Sequence, residues 1–282
     1  MILIADSGST KTNWCIINPD GSSGVGCRTS GINPFLQTET EIYECLQQEF
    51  IIQGQFDAVH FYGAGCANPE KNEKVSRQLK RVFGTERIFV ESDLMAAARS
   101  LCGGSPGIAA ILGTGSNSCY YDGSVIVKHV PPLGYILGDE GSGSVLGRKL
   151  LADILKNRFP ADITNRFFEK YRLDASAILD HVYRQPFPNR FMAGFTRFIA
   201  ENTGHREIRK LVKSSFAEFF IRNISQYPEA SLLPVNFTGS IGWHFSEILK
   251  AAAEETGFTT GIITESPVGG LIEFHKKQIQ NI

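Results

Sequence analysis

The chain has 282 residues, 42% of them hydrophobic, which is enough apolar material for two modest domains or one large one. A formal net charge of −1 exerts no general pull on nucleic acid or on an anionic membrane, so a small diffusible substrate is the better expectation. The chain has no run of about 18 apolar residues and enters an apolar stretch at once where a leader would be charged, which predicts a cytoplasmic protein; its six cysteines (Cys15, Cys27, Cys45, Cys66, Cys102, Cys119) stand singly and are expected as reduced thiols.

The first element is a hairpin. An apolar run from Ile2 ends in the carboxylate of Asp6, passes through Ser7-Gly8-Ser9-Thr10-Lys11-Thr12, and resumes over residues 13–17. Gly8 has no Cβ, so a phosphate is able to approach its backbone N–H, and the hydroxyls of Ser7, Ser9, Thr10 and Thr12 add donors around the same point. Asp6, at the end of a buried strand, is placed to hold a hydrated Mg²⁺, an ion that keeps several waters and takes few protein carboxylates. Taken alone, the same residues also make an ordinary polar surface turn.

Asn18-Pro19-Asp20-Gly21 marks the next turn, and residues 22–29 complete an antiparallel meander. Asn33 precedes Pro34, either as a simple turn residue or as an amide facing a polar ligand. Residues 39–50 have helical spacing behind Thr38 as N-cap, 58–62 form a short strand, and 69–83 form a basic amphipathic helix opened by Pro69. Residues 88–90 make another buried strand, with Glu91-Ser92-Asp93 at its carboxyl end and a helix over 94–101. Crevices outside the carboxyl ends of strands are where α/β sheets place their ligands. Residues 103–107 match G-x-S-x-G, but Pro106 lacks an N–H and the segment leads into a strand, so this is a linker and not a nucleophile elbow.

The second half repeats the first signal. Residues 108–112 are apolar, Gly113-Thr114-Gly115-Ser116-Asn117 interrupts them, and 118–121 resume, so that Ser7-Gly8-Ser9-Thr10 is echoed by Thr114-Gly115-Ser116-Asn117. Two such turns suggest two related domains addressing one nucleotide. A further hairpin leads to residues 125–129, followed by a glycine-rich loop over 131–144 that carries Tyr135, Asp139 and Glu140 and opens a helix over 145–157. That loop is either a long mobile connection or a place where backbone approaches something closely. Residues 164–226 read as helical, with Phe187, Phe191, Phe195, Phe198, Leu211, Phe216, Phe219, Phe220 and Ile224 expected in a core. A strand over 233–238, a turn at 239–242, a helix over 243–255, a strand over 262–264 and a last helix complete the chain.

No G-x-x-x-x-G-K-[ST], G-x-G-x-x-G or H-E-x-x-H motif is present, and each of the six histidines is isolated in sequence. What remains is a set of strand-end amides, hydroxyls and carboxylates, an inventory suited to nucleotide phosphates with Mg²⁺. Phosphoryl transfer asks for positioning and charge neutralisation more than for covalent catalysis.

The order Asp6-x-Gly8-x-Thr10-Lys11-Thr12, Ser92-Asp93, Gly113-Thr114-Gly115-Ser116-Asn117, Gly138-Asp139-Glu140-Gly141-Ser142 and Thr238-Gly239-Ser240-Ile241 resembles the N-acetylglucosamine kinase branch of the actin-like ATPase superfamily. That branch also holds the activator ATPases of 2-hydroxyacyl-CoA dehydratases and benzoyl-CoA reductase. The resemblance implies an α/β fold of two ribonuclease-H-like domains, residues 1–105 and 106–282, the second with a helical insertion, and a central cleft for ATP and sugar. It implies that Ser7, Gly8, Ser9, Thr10, Lys11 and Thr12, with Gly113, Thr114, Gly115 and Ser116, hold the phosphates of ATP. Asp6 would lie near Mg²⁺, and Gly239, Ser240 and Ile241 near adenosine. Asp93 would be the general base toward the sugar 6-hydroxyl, while Asn33, Asn117, Tyr135 and Asp139 would bind the sugar. Ser9 stands where the family usually has glycine and Ser92 where it usually has asparagine, and the chain is short for the family.

The partner so implied is an amino sugar, with a homodimer as the expected assembly and neither nucleic acid nor membrane as a partner. Two other readings belong beside the kinase. An activator ATPase needs an iron–sulfur cluster built from clustered thiolates, which isolated cysteines fit poorly. A nucleotide-binding sensor would keep the fold without transfer.

Overall fold

The computed structural model describes residues 1–8 and 10–280 of the chain. Contacts divide it into two units: Met1–Pro106 with Asp122–Ile126 and the segment from Ser266 onward, and Gly107–Tyr121 with Val127–Glu265. Among the described residues no helix is long and apolar enough to cross a membrane.

The first unit opens with β1 (Ile2–Ser7), β2 (Lys11–Ile17) and β3 (Ser23–Ser30), then α1 (Glu39–Glu49), β4 (Ala58–Gly63), α2 (Pro69–Phe83), β5 (Ile88–Ser92) and α3 (Asp93–Cys102). β1 pairs antiparallel with β2 and parallel with β4, and β4 pairs parallel with β5, so the sheet runs β3-β2-β1-β4-β5. Residues one apart on a strand face opposite sides. Leu3 and Ala5 accordingly join Trp14 and Phe61 in a core closed by Ile42 and Leu46 of α1 and Val75 and Leu79 of α2. The helix starts are set locally: Thr38 and Glu41 form a capping box, and Asn68 caps α2 with Pro69 behind it.

The second unit comprises β6 (Gly107–Leu112), β7 (Ser116–Tyr121), β8 (Ile126–Val130), α4 (Gly134–Leu137), α5 (Gly143–Leu155), α6 (Ala161–Tyr171), α7 (Ala175–Tyr183), α8 (Pro188–Ala193), α9 (Thr196–Glu201) and α10 (Arg206–Arg222). β9 (Val235–Thr238), α11 (Ser240–His244), α12 (Ser246–Glu255) and β10 (Thr260–Thr264) follow. Its sheet runs β10-β9-β6-β7-β8, with β6 antiparallel to β7 and parallel to β9, and β9 parallel to β10. Read from β8, this is the strand order of the first sheet, so the duplication seen in the turns extends to topology. The helices inserted between β8 and β9 bury Phe167, Phe195, Phe198, Phe216, Phe219 and Phe220, each worth about 1.5–3 kcal/mol of transfer free energy. Phe187 departs from the expected core: it is 45% exposed, sits before α8 with a left-handed φ of 56°, and lies under the Arg190 guanidinium at 4.3 Å.

The last helix, α13 (Val268–Gln280), was expected in the second domain and packs instead in the first unit. Leu271 fits among Ile4, Ile17, Tyr62 and Ala96 on the sheet face opposite α1 and α2. A side chain on Gly270 would strike Ser100 of α3. An amphipathic pattern shows that a helix has a buried face, not which sheet buries it.

Candidate active site

In the first unit the candidate groups gather at the carboxyl ends of β1, β4 and β5. Ser92 ends β5 and caps α3, its Oγ accepting the Met95 N–H at 3.2 Å, so Asp93 is the first residue of the helix. The sequence places the start of that helix one residue later. Asp93 is half-buried; burial pushes its carboxyl up to about 6, and the backbone N–H groups of Leu94 and Asp93 itself hold that rise in check. Asp6 is also raised to about 6, first by burial and then by the charge of Asp93, against a bond from the Asn13 amide opposite it on β2 and the charge of Lys11. Behind them burial and Asp93 push the Cys66 thiol up to about 12. Two carboxylates that repel one another in a half-buried site are relieved by a cation.

Among the described residues no three His, Cys, Asp or Glu side chains cluster closely enough to hold a metal.

The first turn corrects several expectations. Ser7 and Thr12 are fully buried and their hydroxyls bond to each other at 2.7 Å; Ser7 Oγ also accepts the Ile32 N–H at 3.0 Å and Thr12 Oγ1 donates to the Ser30 carbonyl at 3.1 Å. These hydroxyls anchor the chain after β3 and do not face a phosphate. The Gly8 N–H is likewise taken, donating to the Lys11 carbonyl at 3.0 Å to close the hairpin. Gly8, Thr10 and Lys11 remain exposed, and Ser9 lies outside the described residues. Asn33 makes a turn around itself: Oδ1 accepts the Phe35 N–H at 3.0 Å, and a Cβ on Gly65 would run into that oxygen. Lys74 of α2 donates to the carbonyls of Pro34 and Gln37, holding the same loop. A cavity of about 620 Å³ opens along β5, lined by Cys66, Asn68, Asn72, Glu91 and Ser92 among others. None of the predicted ligand residues lines it, and Glu91 there is paired with Arg99 at 2.8 Å.

In the second unit the turn after β6 is packed from three sides. The Gly143 and Ser144 N–H groups at the start of α5 donate to the Gly113 and Thr114 carbonyls at 2.8 and 3.0 Å, and the Gly113 N–H closes on Gly115. Asp139, at a left-handed φ of 53°, accepts the Ser116 N–H at 3.1 Å, and a Cβ on Gly115 would lie 3.2 Å from both its oxygens. Burial raises the Asp139 carboxyl while that N–H opposes the rise. Tyr135 is half-buried against the second core, and Asn117 on β7 accepts the Ser118 N–H at 3.0 Å. Gly239 has φ 115° and passes so close to the Leu112 backbone that no side chain fits there. Ser240 is exposed, but the Ile241 side chain is 6% exposed and belongs to the core, so only its backbone is able to meet a ligand.

Two groups escaped the sequence reading. Thr238 and Thr264 are partners in the β9–β10 register, and both hydroxyls are buried with no partner among the described residues. Trp243, 47% exposed, stands on α11 just beyond Gly239 and Ser240. Thr238 does belong to the Thr-Gly-Ser-Ile motif; for Thr264 no sequence signal exists.

No family model matches the chain, and no curated protein matches it. Solved structures do. A protein of Porphyromonas gingivalis, provisionally named an N-acetylglucosamine kinase, is 46% identical with a TM-score of 0.94, over 99% of this chain and 100% of that one. The chain belongs to the family of that kinase, in the sugar kinase superfamily. Two more distant structures share the fold alone. One, from Chromobacterium violaceum and provisionally named likewise, is 17% identical with a TM-score of 0.72 over 97% of this chain and 98% of that one. The other, a ROK family glucokinase from Streptomyces griseus bound to glucose and AMPPNP, is 14% identical with a TM-score of 0.55 over 96% and 97%. The mixed α/β fold of this kinase family member, with two mixed sheets, is thus the fold of sugar kinases.

Proposed function

We propose that the protein is an ATP-dependent amino-sugar kinase that transfers the γ-phosphoryl group to the 6-hydroxyl of N-acetylglucosamine or a related hexosamine. The observation that carries this reading is the Asp93 carboxylate, at the head of α3 beside Asp6, in a chain 46% identical over its length to a protein named for that activity. The two units are read as ribonuclease-H-like domains of the actin-like ATPase kind, in the branch shared with the activator ATPases.

The residues divide by chemistry. Asp93, with a carboxyl near 6, is mostly ionised at neutral pH and accepts the hydroxyl proton as the oxygen becomes bonded to phosphorus. A loose transition state needs that acceptance only late. Asp6 would hold Mg²⁺, which would supply positive charge against the phosphates and against the Asp93 carboxylate beside it. The exposed side chains of Thr10 and Lys11, and the Gly113–Ser116 turn, would receive phosphates. Gly115 leaves open a space that a Cβ would fill beside Asp139. Gly239, Ser240 and the Ile241 backbone would lie near adenosine. Asn33, Asn117, Tyr135 and Asp139 would bind the sugar. The expected protein is cytoplasmic, forms a homodimer and has no nucleic-acid or membrane partner.

The test is a coupled ADP assay with N-acetylglucosamine, glucosamine, N-acetylmuramate and glucose. Stimulation by an amino sugar is expected, and no stimulation by any of the four would defeat the proposal.

A further inference from the structure

His129 was one of six histidines isolated in sequence, and the fold brings it to Asn117. The Asn117 Oδ1 accepts the Ser118 N–H at 3.0 Å and lies 2.8 Å from His129 Nε2. A backbone N–H only donates, so the atom it meets is the amide oxygen and His129 Nε2 must carry the proton. Burial holds the imidazole below its ordinary value, which favours the neutral ring in that one tautomer.

The spacing of the two side chains is built from below. Tyr227, 1% exposed, has its hydroxyl 2.9 Å from Ser118 Oγ, donates to the Ser118 carbonyl at 2.9 Å and accepts the Val130 N–H at 3.0 Å. Ser118 follows Asn117 and Val130 follows His129, so one buried hydroxyl ties together the neighbours of both residues. Lys128 adds a second tie, donating to the Gln226 carbonyl with its ammonium 5.9 Å from the Tyr227 ring.

Asn33 offers a contrast. Its oxygen is held by the Phe35 N–H of its own turn, with Gly65 against it, and needs no other side chain. Asn117 borrows one. Asn117 Oδ1 meets two donors and is filled, whereas Asn33 Oδ1 meets one; the Asn117 Nδ2 group has no partner among the described residues, so Asn117 presents donors only.

Resting on the amino-sugar kinase reading, we propose that His129 is a positioning residue: it fixes the Asn117 amide with its oxygen toward the imidazole, so that Nδ2 donates to an acceptor oxygen of the sugar.

The experiment compares wild type, His129→Phe, which keeps a ring and loses the donor, and His129→Gln, which keeps a donor, each with and without Asn117→Ala. Sugar KM, ATP KM and kcat are measured, with calorimetric sugar binding in the absence of nucleotide and thermal melts as a check on folding. His129→Phe should raise sugar KM about 3–10-fold and leave ATP KM unchanged, the value of one net hydrogen bond. His129→Gln should recover most of the loss, and in the Asn117→Ala background His129→Phe should add nothing. An equal loss in both backgrounds, or no loss in the single variant, overturns the proposal while the kinase reading stands. A wild type that binds none of the sugars overturns both.

Discussion

The two units share a strand order and a glycine-bearing turn after the first strand, yet they treat their acids differently. In the first, Asp6 and Asp93 lie together and part-buried; burial raises both carboxyls to about 6, and the charge of Asp93 adds to the rise of Asp6. In the second, Asp139 is held by the Ser116 N–H against Gly115, and α5 donates into the same turn. The first turn spends its buried hydroxyls on anchoring the chain after β3 and leaves exposed residues above, while the second is braced from behind by a helix. We propose that duplication was followed by a division of labour: one copy would carry the acids that take a proton or meet a cation, and the other a turn braced by a helix.

The largest effect should come from removing the poised acid. Asp93→Asn should lower turnover by about 10²–10⁴-fold with ATP affinity retained, as read by steady-state kinetics beside calorimetry; equal losses in ATP affinity would erase the proposed division. The paired glycines sharpen it further. Gly115→Ala pushes on the Asp139 carboxylate at 3.2 Å and should cost of order 1–3 kcal/mol in denaturant melts by breaking the Ser116 bond, whereas Gly8→Ala meets nothing nearer than 3.8 Å and should leave stability unchanged. Similar costs at both positions would mean that the two turns are equally braced.

A pH series tests the repulsion itself. Because both folded carboxyls sit above the usual Asp value, the folded chain binds these protons more tightly than the unfolded one. That contribution to stability is complete below the ordinary Asp range and is lost as pH rises through about 6. Asp93→Asn should therefore stabilise the ligand-free protein by of order 1–2 kcal/mol near neutral pH, with no gain near pH 4, and should move the Asp6 carboxyl downward in NMR titrations. Stability that does not respond to the substitution would contradict the paired-acid account. The smallest effect concerns the cap below Asp93: Ser92→Ala should cost about 1 kcal/mol, and Ser92→Asn, the residue usual in the family, should change stability by no more than a few tenths, since both Ser and Asn cap well.

Much of this was legible in the sequence because turn chemistry and strand periodicity are local. The hairpin around Gly8, its echo around Gly115, the Thr38 cap, the Pro69 start of α2 and most of the aromatic core of the helical insertion follow from spacing. What escaped is non-local bookkeeping. Nothing in Ser7-Gly8-Ser9-Thr10 says that the Gly8 N–H is consumed by Lys11, or that Ser7 and Thr12 bond to each other and to the chain after β3. The hydroxyls of Thr238 and Thr264 come together only through strand pairing, and α13 joins the first sheet after the chain has traversed the whole second unit.

The most direct test of the central claim is the structure of the product. With ATP, Mg²⁺ and N-acetylglucosamine, two-dimensional ³¹P–¹H NMR should show a phosphomonoester coupled to the protons on carbon 6, formed by the wild type and nearly absent with Asp93→Asn. Phosphate released to water at the same rate with and without the sugar, or a product formed equally by both proteins, would contradict it.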